Sequence, residues 1–148
     1  MVEPRPITIL MADDDADDRD LAREALAESR VLNELHTVND GAELLEFLHH
    51  EGRFTHADAP RPDLILLDLN MPKVDGREAL GALKKDPKLR SIPVVVLTTS
   101  RAEEDVVRSY DLGANSFISK PVTFAGLVDV MRELGKYWVV IVELPEHA

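Results

Sequence analysis

Apolar, β-prone runs alternate with helix-like segments along almost the whole chain, and this alternation limits the possible folds more than any other feature. Continuous apolar runs are typical of strands buried on both faces, and their alternation with helices indicates a parallel sheet covered by helices. The pattern predicts an α/β fold built on an open, doubly wound sheet of five parallel strands. The predicted strands are residues 7–12, 35–38, 64–69, 94–99 and 115–119.

Length and charge narrow the class of protein. A chain of 148 residues with 45% hydrophobic content can bury the core of one domain. It has no cysteine and therefore no disulfide, and it shows neither a membrane-spanning stretch nor a secretion signal. Its formal net charge of −11 argues against nucleic acid or an anionic membrane as a partner. We therefore expect a soluble, cytoplasmic protein.

Aspartates crowd the end of the first predicted strand. Five of the ten residues in "ILMADDDADD" are Asp. Two unit charges about 4 Å apart repel by roughly 4 kcal/mol at an effective dielectric of about 20, so a cation, a dipole or a proton must offset the crowding. The aspartates after Asp14 lie where the first helix should begin, where they can cap it and interact with its dipole.

Polar residues also lie at or just after the ends of other predicted strands. Doubly wound sheets carry their sites at the carboxyl ends of the strands, near the point where strand order reverses. Three carboxylates at such an edge suit Mg²⁺, and one of them can act as a nucleophile toward a phosphoryl group. A hydroxyl and an ammonium group can position that group and neutralise its charge. The residues concerned are Asp13, Asp14, Asp68, Thr98 and Lys120.

Four motifs, "ADDD", "LLDLNMPKVDG", "VVLTTS" and "FISKP", lie around these residues. In this order they resemble the receiver domain of two-component response regulators, the flavodoxin-like family that includes the chemotaxis regulator CheY. The resemblance extends from Ile7 to about Leu134. It implies a CheY-like fold and a signalling protein, not an enzyme, that accepts a phosphoryl group from a histidine kinase with Mg²⁺ as cofactor. The acyl phosphate is then expected to hydrolyse slowly.

The resemblance also implies a role for each matching residue. Asp68 is the phosphoacceptor, and it shares the Mg²⁺ site with Asp13, Asp14 and the backbone carbonyl of Asn70.

Two further residues match the part of the family that contacts the phosphoryl group. Thr98 and Lys120 are expected to contact it, and Thr98 forms a switch pair with Phe117. Phe117 is equally compatible with a plain core position in the fifth strand.

Two other readings of the aspartates make different predictions. Asp13, Asp15 and Asp17 alternate as in a calcium loop, but Asp18 stands where that loop needs glycine, and a strand precedes it. A phosphatase of the haloacid dehalogenase type would use Asp13 as its nucleophile. That family usually has Thr where Asp17 stands, and the reading leaves the segment around Asp68 without a role.

The chain continues past the receiver-like part. We divide it into a receiver domain, residues 1–136, and an extension, residues 137–148, whose residues 137–142 are apolar and β-prone. The extension can pack on its own domain, or it can form a strand-like arm in a homodimer. Together with the helix "DDRDLAREAL" and the long loop before the third strand, it resembles the stand-alone receivers that accompany bacterial phytochrome histidine kinases, some of which are arm-linked dimers. Output is either a downstream target or phosphoryl flow alone, as in a phosphate sink or relay. The expected arm residues are Tyr137, Trp138, Val140 and Ile141.

Overall fold

The computed structural model describes residues 6–28, 33–55, 59–69, 71, 76–98 and 116–119. Up to the fourth strand, strands and helices alternate in the order that the sequence pattern predicts. A single turn of 3₁₀ helix, Gly52–Phe54, interrupts the loop after the second helix. The strands and α-helices are β1 (Ile7–Ala12), α1 (Ala16–Glu28), β2 (Asn33–Val38), α2 (Gly41–His49), β3 (Leu64–Asp68), α3 (Gly76–Lys85), β4 (Val94–Thr98) and β5 (Ser116–Ser119).

The strands form one parallel sheet in the order β2-β1-β3-β4-β5. The predicted doubly wound, five-stranded parallel sheet is therefore confirmed. Strand order reverses at β1, which lies between β2 and β3. The crevice at the carboxyl ends of β1 and β3 is thus the place where such a sheet offers a site.

Within the described residues, two strand boundaries differ from the sequence prediction; residues 99 and 115, the predicted end of the fourth strand and start of the fifth, lie outside them. β2 begins at Asn33, two residues early, because Asn33 and Glu34 pair with the first residues of β1. β2 is an edge strand with partly exposed side chains, so its start has no apolar signal. β3 ends at Asp68, one residue early; the next residue, Leu69, is still buried and donates its N–H to the carbonyl of Leu97 at 3.2 Å.

Alternate residues of the buried strands pack on opposite faces of the sheet. Ile9 and Met11 of β1 belong to a core cluster with α1, whereas Leu10 belongs to a second cluster with α2 and α3. Asp13 comes two residues after Met11, and Asp68 comes two residues after Leu66, which is also on the α1 side. The alternation therefore directs both acids to the α1 side of the carboxyl edge.

Aspartates begin the first two helices. The Asp15 carboxylate accepts hydrogen bonds from the backbone N–H groups of Asp17 and Asp18, at 2.8 and 3.3 Å. Asp40 caps α2 by accepting a bond from the N–H of Glu43 at 2.8 Å. The expected capping role is thus confirmed for Asp15, while Asp17 and Asp18 lie in the first turn of α1, where the helix dipole favours negative charge.

Within the described part of the chain, none of the helices combines the length and the apolar character that a membrane span requires.

Candidate functional site

Three carboxylates meet at the carboxyl edge of β1 and β3. Asp13, Asp14 and Asp68 each offer an oxygen, and these oxygens all lie within 4.8 Å of one another. The sheet register explains the approach: Ala12 of β1 pairs with Leu67 of β3, so an aspartate follows on each strand at the same level. The side chains of Asp13 and Asp68 are buried, with 0% and 3% of their surface exposed, while Asp14 is exposed.

Asp13 is fixed from three sides. Its backbone N–H donates to the carbonyl of Val38 at 3.1 Å, which extends the pairing of β1 with β2. Its carboxylate oxygen Oδ1 accepts the backbone N–H of Asp15 at 2.9 Å, and its own carbonyl accepts a bond from the Arg19 guanidinium at 2.6 Å. Bonds from a strand, a loop and a helix thus hold one corner of the site.

The donor set fits a hard divalent cation. All three groups are carboxylates, and Mg²⁺ prefers oxygen ligands, usually one or two carboxylates completed by water. Two of the carboxylates are buried, where the surroundings screen their mutual repulsion poorly. A bound cation removes that repulsion, so the geometry agrees with the Mg²⁺ site expected from the sequence.

Gly76 allows α3 to begin directly against the end of β3. A Cβ atom at this position would overlap the carbonyl oxygen of Asp68 and would lie 2.6 Å from the Cα of Leu69. The N–H of Gly76 also donates to the Leu69 carbonyl at 3.0 Å. Only glycine fits this close approach of the backbone to Asp68.

The other predicted site residues are described in part or not at all. The backbone of Thr98 ends β4 and pairs with Ser119, and Phe117 lies within β5 opposite Val96. Their side chains lie outside the description, as do Asn70, Lys120 and the extension at residues 137–148. The roles expected for these residues stay predictions.

Arg19 is a neighbour of the site that the sequence interpretation missed. It is a basic residue inside the acidic run "DDDADDRD", and that isolated charge is the signal that was available. A cavity of about 360 Å³ lies elsewhere, among residues of α2, the loop before β3 and the turn after α3, such as His49, Arg61 and Asp86. None of the three clustered aspartates lines it.

A family model of the response regulator receiver domain matches residues 9–132. The chain belongs to this family. Response regulator Rcp1 of Synechocystis sp. is 41% identical over 140 residues, which cover 95% of this chain and 94% of the relative.

Solved structures agree with this assignment. The bacteriophytochrome response regulator RtBRR is 44% identical with a TM-score of 0.80, and the match covers 88% of this chain and 79% of that one. The phosphorylated cyanobacterial phytochrome response regulator RcpA is also 44% identical, with a TM-score of 0.76 and coverage of 91% and 95%. The Mn²⁺-bound form of Rcp1 has a TM-score of 0.75 at 41% identity, with coverage of 90% and 94%.

The family membership confirms the CheY-like fold and the function expected from the sequence. The protein is a response regulator of a two-component system, which accepts a phosphoryl group from a histidine kinase and uses a divalent metal ion. Like these response regulators, it is a signalling protein rather than a classical enzyme.

Proposed function

We propose that Asp68 is the phosphoacceptor and that Asp13, Asp14 and Asp68 hold the Mg²⁺ ion together with the backbone carbonyl of Asn70. The observation that carries this proposal is the approach of three carboxylate oxygens to within 4.8 Å at the switch point of the sheet. Among the described residues, these are the acids that the fold gathers in this way.

In the proposed step, a carboxylate oxygen of Asp68 attacks the phosphorus atom of the phosphohistidine of the kinase. The O–P bond forms as the P–N bond breaks, and the histidine leaves with the bonding electron pair. The metal ion, when bound, neutralises charge between the carboxylates and the phosphoryl oxygens. Thr98 and Lys120 are proposed to contact the phosphoryl oxygens, with Phe117 following Thr98 as a switch. Water later hydrolyses the acyl phosphate slowly.

The bonding of Asp13 is consistent with its proposed role as a metal ligand. The Oδ1 atom of Asp13 already accepts the Asp15 N–H, and the backbone of Asp13 is bonded on both sides of its Cα. A residue held in this way suits a fixed metal ligand, and the choice of Asp68 as nucleophile rests on the motif around it that matches the receiver family. The phosphatase alternative, with Asp13 as nucleophile, makes the opposite prediction.

Phosphorylation by acetyl phosphate tests the assignment. We expect wild-type protein with Mg²⁺ to gain one phosphoryl unit by intact mass and Asp68→Asn to gain none. Asp13→Asn should still accept the group, but more slowly and only at higher Mg²⁺ concentration. If Asp68→Asn is still phosphorylated and Asp13→Asn is not, the nucleophile is Asp13 and the proposal is refuted.

A bacteriophytochrome is the kinase partner that we propose. Two relatives support this proposal. RtBRR is a bacteriophytochrome response regulator, RcpA is a cyanobacterial phytochrome response regulator, and each is 44% identical to this chain. An acidic chain without cysteine is also suited to the reducing cytoplasm, where we place this exchange. Phosphotransfer from a purified bacteriophytochrome kinase should be faster than from an unrelated histidine kinase, and equal rates would remove the support for this partner.

We further propose that residues 1–136 form the receiver and that residues 137–148 form an arm in a homodimer. The support is the apolar, β-prone sequence of residues 137–142, which needs a covering partner. Light scattering should give a dimer for the whole chain and a monomer for a chain ended after residue 136. A monomer in both cases would favour packing of the extension on its own domain.

We distinguish two classes of output for the phosphorylated protein. A signalling module needs a target that prefers the phosphorylated state, whereas a phosphate sink or relay needs only phosphoryl exchange. Affinity capture with and without beryllofluoride distinguishes them, because only the first class predicts a partner selective for the activated form.

A further inference from the structure

Arg19 connects helix α1 to the end of strand β1. Its guanidinium nitrogen donates a hydrogen bond of 2.6 Å to the backbone carbonyl of Asp13, six residues earlier. Asp13 is fully buried and is one of the three clustered carboxylates, whereas Arg19 is only half-buried. The bond therefore joins the surface of α1 to the buried corner of the acidic site.

The bond acts on the loop that carries two of the clustered acids. Asp13 and Asp14 are consecutive and lie between the last residue of β1 and the first turn of α1. Val38 holds the N–H of Asp13, and Arg19 holds its carbonyl, so both peptide groups that flank the Asp13 side chain are fixed. A charged donor makes the Arg19 bond stronger than a neutral pair at the same distance.

We propose that Arg19 is a positioning residue that prepares the acidic site for its divalent cation. By holding the Asp13 carbonyl, it keeps Asp13 and Asp14 in a ligating arrangement before the ion binds, so that less conformational freedom is lost on binding. This inference rests on the proposed ligand roles of Asp13 and Asp14 and adds to them a residue that does not touch the ion.

The positive charge of Arg19 and its hydrogen bond to the Asp13 loop have opposite effects on Mg²⁺ affinity, and this makes the proposal testable. A positive guanidinium near three carboxylates competes with a cation, so its removal should tighten Mg²⁺ binding if charge alone matters. Its removal should weaken Mg²⁺ binding if its main effect is to hold the loop. The sign of the change separates the two roles.

The test compares Arg19→Met, Arg19→Lys and Arg23→Met by calorimetric titration of the unphosphorylated proteins with Mg²⁺. Methionine keeps an unbranched side chain and good helix propensity but removes the guanidinium. Arg23 is exposed, lies one helical turn after Arg19, and is the matched control for loss of a positive charge from α1. Thermal melts in EDTA check that each variant is folded.

We expect Arg19→Met to raise the Kd for Mg²⁺ about three- to tenfold, because the hydrogen bond from a charged group is lost and the removal of the positive charge offsets only part of that loss. Arg19→Lys should fall between this variant and the wild type, because lysine can donate one bond to the same carbonyl. Arg23→Met should change the Kd less than about twofold, or tighten binding slightly. The melting temperature in EDTA should fall with the lost bond, and the further rise produced by Mg²⁺ should also become smaller.

Equal or tighter Mg²⁺ binding by Arg19→Met would overturn the proposal, as would an equal loss in Arg23→Met or a lysine variant no better than methionine. If Arg19→Met does not melt cooperatively, Arg19→Lys decides alone, and a Kd at or below that of the wild type then overturns the proposal. A wild type that binds no Mg²⁺ would instead refute the proposed metal site. The two failures are therefore distinguishable.

Discussion

At the site, the closeness of neighbouring backbone atoms limits which residue can stand at a position as much as side-chain chemistry does. Gly76 is the clearest case, because a Cβ atom there would overlap the Asp68 carbonyl, whereas a Cβ atom at Gly81, later in the same helix, meets nothing within 4 Å. Alanine substitution at Gly76 and at Gly81 therefore adds the same methyl group to α3, with a clash at the first position and without one at the second.

We expect Gly76→Ala to lower the free energy of unfolding by about 1–3 kcal/mol, as overpacking commonly does. It should also slow phosphorylation, because the end of β3 must shift. Gly81→Ala should raise stability by about 0.5–1 kcal/mol, because alanine loses less conformational freedom in a helix, and should leave phosphorylation unchanged. Urea unfolding and acetyl phosphate kinetics measure both effects; a Gly76→Ala protein as stable and as active as Gly81→Ala would contradict this account.

Residues of the site differed in how far the sequence revealed them. Asp13, Asp14 and Asp68 were found because they follow apolar strands, and strand ends of a parallel sheet converge at one edge. Arg19 was not found, because its bond to the Asp13 carbonyl depends on the angle at which α1 leaves β1. Periodicity in a sequence records burial and does not record such a bond.

At the scale of elements, apolar strands were predicted closely and polar boundaries were not. β1 was predicted to the residue, whereas β2 begins two residues earlier than predicted because an edge strand can be polar. The 3₁₀ turn at Gly52–Phe54 has too few residues for a periodic signal. The connection from α3 to β4 is likewise stabilised by polar contacts that the apolar pattern does not show.

Asp86 organises that connection. Its carboxylate accepts the backbone N–H of Lys88 at 2.8 Å and lies 3.1 Å from the Nε2 atom of His49, the last residue of α2. The backbone hydrogen bond, followed by the interaction with His49, lowers the pKa of Asp86 below its ordinary value of 3.8. The ionised form is therefore the one that the folded state favours.

Because the pKa of Asp86 is lower in the folded state, its contribution is present above the unfolded pKa and is lost as pH falls through the folded pKa. We expect Asp86→Asn to be less stable than the wild type at about pH 6, with a difference that shrinks from about pH 4 downward. His49→Gln should remove less of this pH dependence, since the backbone bond from Lys88 is the larger cause. Urea unfolding across this pH range measures the difference in stability between each variant and the wild type. A difference that grows on acidification would contradict a stabilising role for ionised Asp86.

For the whole molecule, the fold and the site make opposite demands on stability. Strands β1, β3 and β4 are buried on both faces by apolar side chains, yet the carboxyl edge of the sheet gathers three carboxylates, two of them buried. Without a cation these charges repel one another, so the arrangement that we propose as the phosphorylation site lowers the stability of the metal-free protein.

Replacing one clustered charge should therefore stabilise the metal-free protein and weaken its response to metal. We expect Asp68→Asn, which keeps the shape of the side chain, to raise the free energy of unfolding in EDTA by about 1–2 kcal/mol, less than the full repulsion because Asp14 is exposed. Saturating Mg²⁺ should stabilise the wild type more than the variant, because the ion binds the folded state and the variant binds it less tightly. Asp17→Asn, which changes an exposed acid in the first turn of α1, is the control and should not raise stability in EDTA, since the helix dipole favours that charge. An Asp68→Asn protein that is less stable than the wild type in EDTA, with an undiminished response to Mg²⁺, would show that carboxylate repulsion does not limit the stability of this fold.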